Sequence, residues 1–246
     1  MGENQMTVKV FEDGKQIGEA LGSFYVDFIN RKPDCVLGLA TGATPVPTYQ
    51  YICKAYAEGR VSFKNVKTFN LDEYCGLPSD DKNSYRTFMA DNLFNNIDID
   101  PANIGFLDGN AEDESAESER YTKAIEEAGG IDLQFLGIGR NGHIAFNEPS
   151  DSFTQDSFKV KLSPSTIEAN SIYFENGKTP EYAFTMGIGL ICKAKKIVLV
   201  ATGDKKAQAV KDMLNGEITP RHPASVLQRH PDTVVYLDKA AASLLE

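Results

Sequence analysis

Residues 133–149 read LQFLGIGRNGHIAFNEP and hold Gly137, Gly139 and Gly142 in the pattern G-x-G-x-x-G. That pattern marks a dinucleotide-binding turn when a strand precedes it, a helix follows it and an acidic residue stands about 20 positions on to hold a ribose. The first condition is met, because IDLQFLGIG suits a buried strand. The second is not, since only HIAFNE separates Gly142 from Pro149, too little for an amphipathic helix. The third fails too: SFKVKL (Ser157–Leu162) occupies the place of the acid. The stretch is a buried strand running into a glycine turn, and it implies no dinucleotide cofactor.

Outward from this strand, short apolar runs alternate with longer amphipathic ones, the signature of a parallel sheet covered on both faces. Strands are predicted at TVKVF, CVLGLA, VKTFNL, IGFL, DLQFLGIG, KIVLVA and TVVYL, and helices over 14–30, 45–58, 84–94, 112–128, 181–192, 204–214 and 239–245. The fold class is α/β: a Rossmann-like, doubly wound, mostly parallel sheet in a single domain over 1–246. The segment 145–180 breaks the rhythm with Pro149, Pro164 and Pro180, a strand-like FKVKL and a short helical PSTIEANSIYF, as a lid would. The acidic EDESAESE (112–119) is a solvated helix start.

Composition narrows the function. Of 246 residues, 41% are hydrophobic, and 25 Lys and Arg against 35 Asp and Glu give a formal charge of −10. Nothing basic enough to follow a nucleic acid backbone is present, and no apolar run is long enough to span a membrane. The N-terminus MGENQMTVKVFEDG lacks the features of a secretory signal, so a cytoplasmic protein is expected. Cys35, Cys53, Cys75 and Cys192 show no C-x-x-C spacing and read as reduced thiols; His143, His222 and His230 show no metal-binding spacing, and no metal site is expected. No oligomeric state is legible in these features, and a homo-oligomer stays open.

Ligands of doubly wound sheets bind beyond the carboxyl ends of the strands, and four such ends carry chemistry. In GLATGATPVPTY, the run Thr41, Gly42, Ala43, Thr44 precedes Pro45; Thr44 as N-cap and Pro45 as first helical residue would open a helix, with Gly42 turning backbone N–H groups toward an anion. In TFNLDEYCGLP, Asp72 and Glu73 follow the uncharged strand end TFNL, one facing a substrate and the other capping or pairing. The glycine turn presents Asn141, His143 and Glu148 within eight residues, the parts of an acid/base relay whose glycines let the backbone aim the ring into the cleft. In VLVATGDKKAQAV, Lys205 and Lys206 sit at the start of a helix, where cations are misplaced unless an anion joins them.

LATGATP, FNLDEYCGL, NIGFLDGNAED, GGIDLQFLGIGRNGHIAFNEP and PASVLQRHPD, in this order and over nearly the whole chain, resemble the signatures of the glucosamine/galactosamine-6-phosphate isomerase family. The resemblance implies conversion of glucosamine 6-phosphate and water to fructose 6-phosphate and ammonium, without metal or organic cofactor. It implies that Asp72 takes the C2 proton and returns it at C1, that His143 opens the pyranose ring with Asn141 and Glu148 behind it, and that Thr41, Gly42, Ala43, Thr44 and Lys206 hold the phosphate of a small-molecule sugar phosphate.

Three departures from the family pattern stand out. Asn141 stands where many members have aspartate, and Ile172 in ANSIYF stands where an arginine is usual. Phe158 and Val160 occupy the places of an Arg and a Lys found in members activated by N-acetylglucosamine 6-phosphate, and the long C-terminal tail of those members is missing. No activation by that effector is expected. Galactosamine-6-phosphate deaminase and 6-phosphogluconolactonase remain alternatives, as does a non-catalytic sugar-phosphate sensor, although sensors carry an N-terminal helix-turn-helix and this chain opens on a strand.

Overall fold

In chain order the strands of the computed structural model are β1 (Thr7–Phe11), β2 (Val36–Leu39), β3 (Lys67–Asn70), β4 (Asp72–Tyr74), β5 (Ile104–Gly105), β6 (Leu133–Leu136), β7 (Phe158–Lys161), β8 (Tyr182–Thr185), β9 (Lys196–Ala201) and β10 (Thr233–Asp238). The helices are α1 (Gly14–Arg31), α2 (Val46–Ala57), α3 (Tyr85–Asn92), α4 (Glu114–Glu127), α5 (Pro164–Asn170), α6 (Ile188–Cys192) and α7 (Ala207–Asn215). The structure describes residues 6–78, 80–174 and 178–245.

Seven strands form one parallel sheet in the order β1-β10-β9-β6-β2-β3-β5. β2 and β6 are buried on both faces, as VLGL and LQFL require, and they sit side by side in the middle. From β2 the chain winds outward through β3 to β5. It then returns to β6 on the other flank of β2 and winds the opposite way through β9 to β10. The winding therefore reverses between β2 and β6, and the connections leaving their carboxyl ends diverge around a crevice.

Helix ends follow local chemistry. Asp13 caps α1 by accepting from the Gln16 amide, and Ile17, Leu21, Tyr25 and Ile29 bury one face of that helix at helical spacing. Asp113 caps α4 in the same way through the Ala116 amide. The acidic start of α4 is solvated as expected except at Glu117, which is buried, pairs with Arg120 at 2.6 Å and accepts the Asp108 amide.

The segment outside the parallel sheet is more ordered than its sequence suggests. β4, β8 and β7 make a second, antiparallel sheet in which Asp72 lies opposite Thr185 and Phe158 lies opposite Thr185 on the other side. It covers its own small core of Tyr74, Phe146, Leu162, Phe174 and Ala183. The helix expected over 181–192 is thus β8 followed by the short α6: the aromatic and β-branched YAFT pairs with two distant strands, and that pairing overrides the local pattern. The helix expected over 239–245 is a series of turns, opened by Asp238, whose carboxylate accepts the Ala241 amide at 2.7 Å. Part of the lid expected over 145–180, residues 175–177, lies outside the described residues.

Candidate active site

The turn leaving β2 is built around Gly42, whose φ of 100° is open to glycine and strained for other residues. Tyr49 of α2 anchors it by donating to the Ala40 carbonyl at 2.6 Å. Thr44 does not cap α2: Pro45, at φ −77° and ψ −15°, takes the N-cap position, and no side chain accepts from the first turn. The expectation of a Thr44 cap is corrected because Pro45 already lies in helical geometry one residue before the helix begins. The consequence favours a ligand, since the amides of Thr41, Gly42, Ala43 and Thr44 have no acceptor among the described residues at the positive end of a helix dipole.

Asp72 and Glu73 divide their work. The Glu73 carboxylate accepts from the amides of Tyr74, Tyr85 and Arg86 at 2.8–2.9 Å, and so holds the start of α3. Asp72, only 6% exposed, has no hydrogen-bond partner among the described residues. Burial, and then the charge of Glu73, pushes its carboxyl up to about 8. A carboxyl that binds its proton this tightly at a strand end has the chemistry of a general base.

The three glycines after β6 do different jobs. A Cβ on Gly139 would lie 2.3 Å from the His143 ring, so Gly139 makes room for that imidazole. Gly142 sits at φ +81°, and a Cβ there would lie 2.3 Å from the His222 ring. At Gly137 a Cβ would meet nothing within 4 Å. The backbone freedom expected of all three is used at Gly142 alone. Ala145 is the single non-glycine residue with positive φ, 50°, among the described residues, in the tight turn that carries the chain from His143 to Glu148.

That turn brings Asn141, His143 and Glu148 together. His143 Nδ1 lies 3.7 Å from Glu148 Oε2, an ion-pair distance, and has no hydrogen-bond partner of its own among the described residues. The Asn141 side chain donates to Glu148 Oε2 at 2.8 Å and accepts from the backbone amide of His143 at 3.2 Å. Asn141 therefore positions the turn and the carboxylate, not the imidazole ring itself. Thr166 of α5 donates to the other oxygen of Glu148 at 2.5 Å. Burial pushes the Glu148 carboxyl up, but His143 and the hydrogen bonds from Thr166 and Asn141 outweigh it and hold the group down at about 2.

This depressed value fixes a sign. Glu148 stabilises the fold above the ordinary carboxylate value of 4.5, and its contribution is lost as pH falls toward about 2. Glu148→Gln is expected to cost stability near neutral pH and much less at about pH 2, so urea midpoints of variant and parent should converge on acidification. A constant gap across that range would remove the carboxylate's charge from the account.

Two contacts join this turn to Asp72. Thr185, opposite Asp72 in the small sheet, accepts the Phe146 amide at 3.1 Å, and the Phe146 ring packs against Tyr74 and Tyr85 at 5.8 and 6.1 Å. Tyr85 donates to the Tyr74 hydroxyl at 3.3 Å, and Asn170 of α5 donates to that same hydroxyl at 3.0 Å. On the opposite flank, Lys206 follows β9 and donates to the Ile138 carbonyl at 2.6 Å. Burial, and then the like charge of Arg140, lowers the Lys206 pKa.

The structure thus gathers Thr41–Thr44, Asp72, Asn141, His143, Glu148 and Lys206 at the carboxyl edge of the sheet, around the point where the winding reverses. Sequence reasoning missed Tyr74, Tyr85, Thr166, Asn170 and Arg140. Only Arg140, a cation inside a glycine turn at a strand end, left a local signal; the others arrive from distant segments. Ile172 is 78% exposed and gives this edge no charge. Among the described residues no cluster of three His, Cys, Asp or Glu could hold a metal ion, and no helix is long and apolar enough to cross a membrane.

Comparison with known proteins follows the same lines. Residues 14–236 match the model of a family described as glucosamine-6-phosphate isomerases/6-phosphogluconolactonase. The chain is 50% identical over 218 residues to the glucosamine-6-phosphate deaminase of Thermoanaerobacter pseudethanolicus, covering 88% of this chain and 86% of that one. It is 47% identical over 241 residues to the glucosamine-6-phosphate deaminase of Cellvibrio japonicus, covering 98% and 92%. Among solved structures, a monomeric glucosamine-6-phosphate deaminase superposes with a TM-score of 0.94 at 43% identity, over 97% of this chain and 100% of that one. A 6-phosphogluconolactonase from Leishmania guyanensis shares the fold at a TM-score of 0.76 and 20% identity, over 98% and 99%.

Proposed function

The chain belongs to the glucosamine-6-phosphate isomerase/6-phosphogluconolactonase family, and from this we infer that it is an aminosugar-phosphate deaminase, converting glucosamine 6-phosphate and water to fructose 6-phosphate and ammonium. Relatives that are glucosamine-6-phosphate deaminases match at 43–50% identity, whereas the lactonase shares the fold at 20%. The observation in the site that carries the reading is the buried Asp72 carboxyl, which has no hydrogen-bond partner among the described residues. Hydrolysis of a lactone needs no group that moves a proton between neighbouring carbons; an aldose-to-ketose shift does.

We assign the steps as follows. The Thr41–Thr44 amides and Lys206 hold the phosphate. His143, with Glu148 behind it and Asn141 fixing the turn, moves a proton between the anomeric hydroxyl and the ring oxygen, which opens the ring. As Asp72 removes the C2 proton of the open-chain aminoaldehyde, the ammonium group gives up a proton and the carbonyl oxygen gains one, which yields the enolamine; Asp72 then returns its proton to C1. The resulting C2 imine adds water and expels the nitrogen as ammonia, which leaves protonated. Residues 1–246 act as one domain in this reading, with 145–180 as its lid, and the cytosol is its setting.

The assay is ammonium release from glucosamine 6-phosphate, from its C4 epimer and from unphosphorylated glucosamine, beside hydrolysis of 6-phosphogluconolactone. Turnover of glucosamine 6-phosphate well above the other three is expected. Preference for the epimer would move the assignment to a galactosamine phosphate, and lactone hydrolysis without ammonium release would overturn it.

A further inference from the structure

Arg140 stands in the turn after β6, and in the sheet order that turn lies between the one leaving β2 and the one leaving β9. The Lys206 ammonium crosses from the β9 side to the Ile138 carbonyl, two residues before Arg140, and Arg140 is the charge it feels there. Arg140 is exposed and enters no ion pair among the described residues. This is an unusual placement in a chain with ten more acidic than basic side chains, 35 against 25. Elsewhere two neighbouring cations, Lys32 and Lys195, share the buried carboxylate of Asp132 at 2.6 and 2.7 Å.

At the carboxyl edge no such carboxylate joins Arg140 and Lys206 among the described residues. The amides of Thr41–Thr44, which have no acceptor among the described residues, add to the same positive field. A phosphate monoester carries about two negative charges near neutral pH, and Lys206 supplies one positive charge at most. The lid offers none at Ile172.

We propose that the Arg140 guanidinium is the second cation of the phosphate subsite, gripping the monoester from the β6 turn while Lys206 and the Thr41–Thr44 amides hold its other oxygens. An arginine suits this place because its planar fork gives two parallel hydrogen bonds to phosphate and it keeps its charge at any working pH. The proposal rests on the sugar-phosphate reading above and names a residue for its anion.

The test is calorimetric titration of the full-length protein and of R140Q with inorganic phosphate and with fructose 6-phosphate, together with kcat and KM for glucosamine 6-phosphate. R140Q is expected to weaken both ligands and raise KM by about tenfold or more, the scale of one lost charge-assisted contact, with kcat within about twofold of the parent. R140K, which keeps the charge and loses the fork, should fall between the two. Because the side chain is exposed, the melting temperature of R140Q should match the parent.

Equal affinity of parent and R140Q for both ligands would overturn the proposal. So would a loss confined to inorganic phosphate, which would mark a free-anion site apart from the sugar phosphate. If fructose 6-phosphate binds in an Arg140-dependent way but the parent releases no ammonium from glucosamine 6-phosphate, the subsite stands and the assigned reaction falls.

Discussion

Asp72→Asn is expected to lower kcat by roughly 10²-fold or more, the usual worth of a positioned acid/base group, while making the folded protein more stable. Both effects follow from one fact, the burial of a carboxyl with no hydrogen-bond partner among the described residues. Its folded pKa of about 8 lies far above the ordinary 3.8. The stability it contributes is therefore full below about pH 4 and is lost as pH rises through about 8, where the ion must exist inside the protein. The amide has the same shape and never ionises. Parent and variant should denature alike near pH 4, and the variant should gain up to a few kcal/mol by about pH 8.

In the parent, kcat/KM should rise across the same window as the base ionises. Urea titrations at several pH values, beside turnover assays, check both halves. A variant that is inactive and also destabilised at alkaline pH would mean that the carboxylate is satisfied in the fold and is not poised as a base.

Gly139→Ala is expected to lower kcat by a further large factor, also on the order of 10²-fold, although it removes no functional group. The new methyl would lie 2.3 Å from both Cε1 and Nδ1 of His143, so the imidazole must leave its place beside Glu148. A displacement near 1 Å at a reacting group is enough for such a loss. Gly137→Ala is the matched control: it is the same change in the same turn, with open space around the new methyl, and near-parental turnover is expected. Similar kcat values for the two variants would remove the space-making role of Gly139.

These two positions also show how far the sequence could be read. Alternation of apolar strands and amphipathic helices is a local property, so the parallel sheet and its carboxyl edge were legible. Asp72, His143 and Lys206 were singled out because each stands just after a strand of that sheet. The glycine pattern was misleading in form but placed correctly at a strand end; its use, room for His143 and His222, depends on side chains packed in three dimensions.

What stayed hidden came from non-local pairing. β8 looked helical because β4 and β7, its partners, are far away in sequence. The choice between Asp72 and Glu73 was open because it depends on α3, whose first amides claim Glu73. Thr166 and Asn170 could not be linked to Glu148 and Tyr74 before α5 was seen packed across them. Thr44 was misassigned as a cap because a one-residue shift of a helix start, decided by the dihedral angles of Pro45, is beyond what residue preferences resolve.

The most direct measurement of the central claim, one shielded carboxylate carrying a proton from C2 to C1, uses glucosamine 6-phosphate deuterated at C2 in ordinary water. Asp72 is only 6% exposed, so the deuteron it takes is partly kept from solvent, and mass spectrometry should find deuterium at C1 of the fructose 6-phosphate formed. Product with no deuterium at C1, its label wholly lost to water, would contradict transfer by a single buried base.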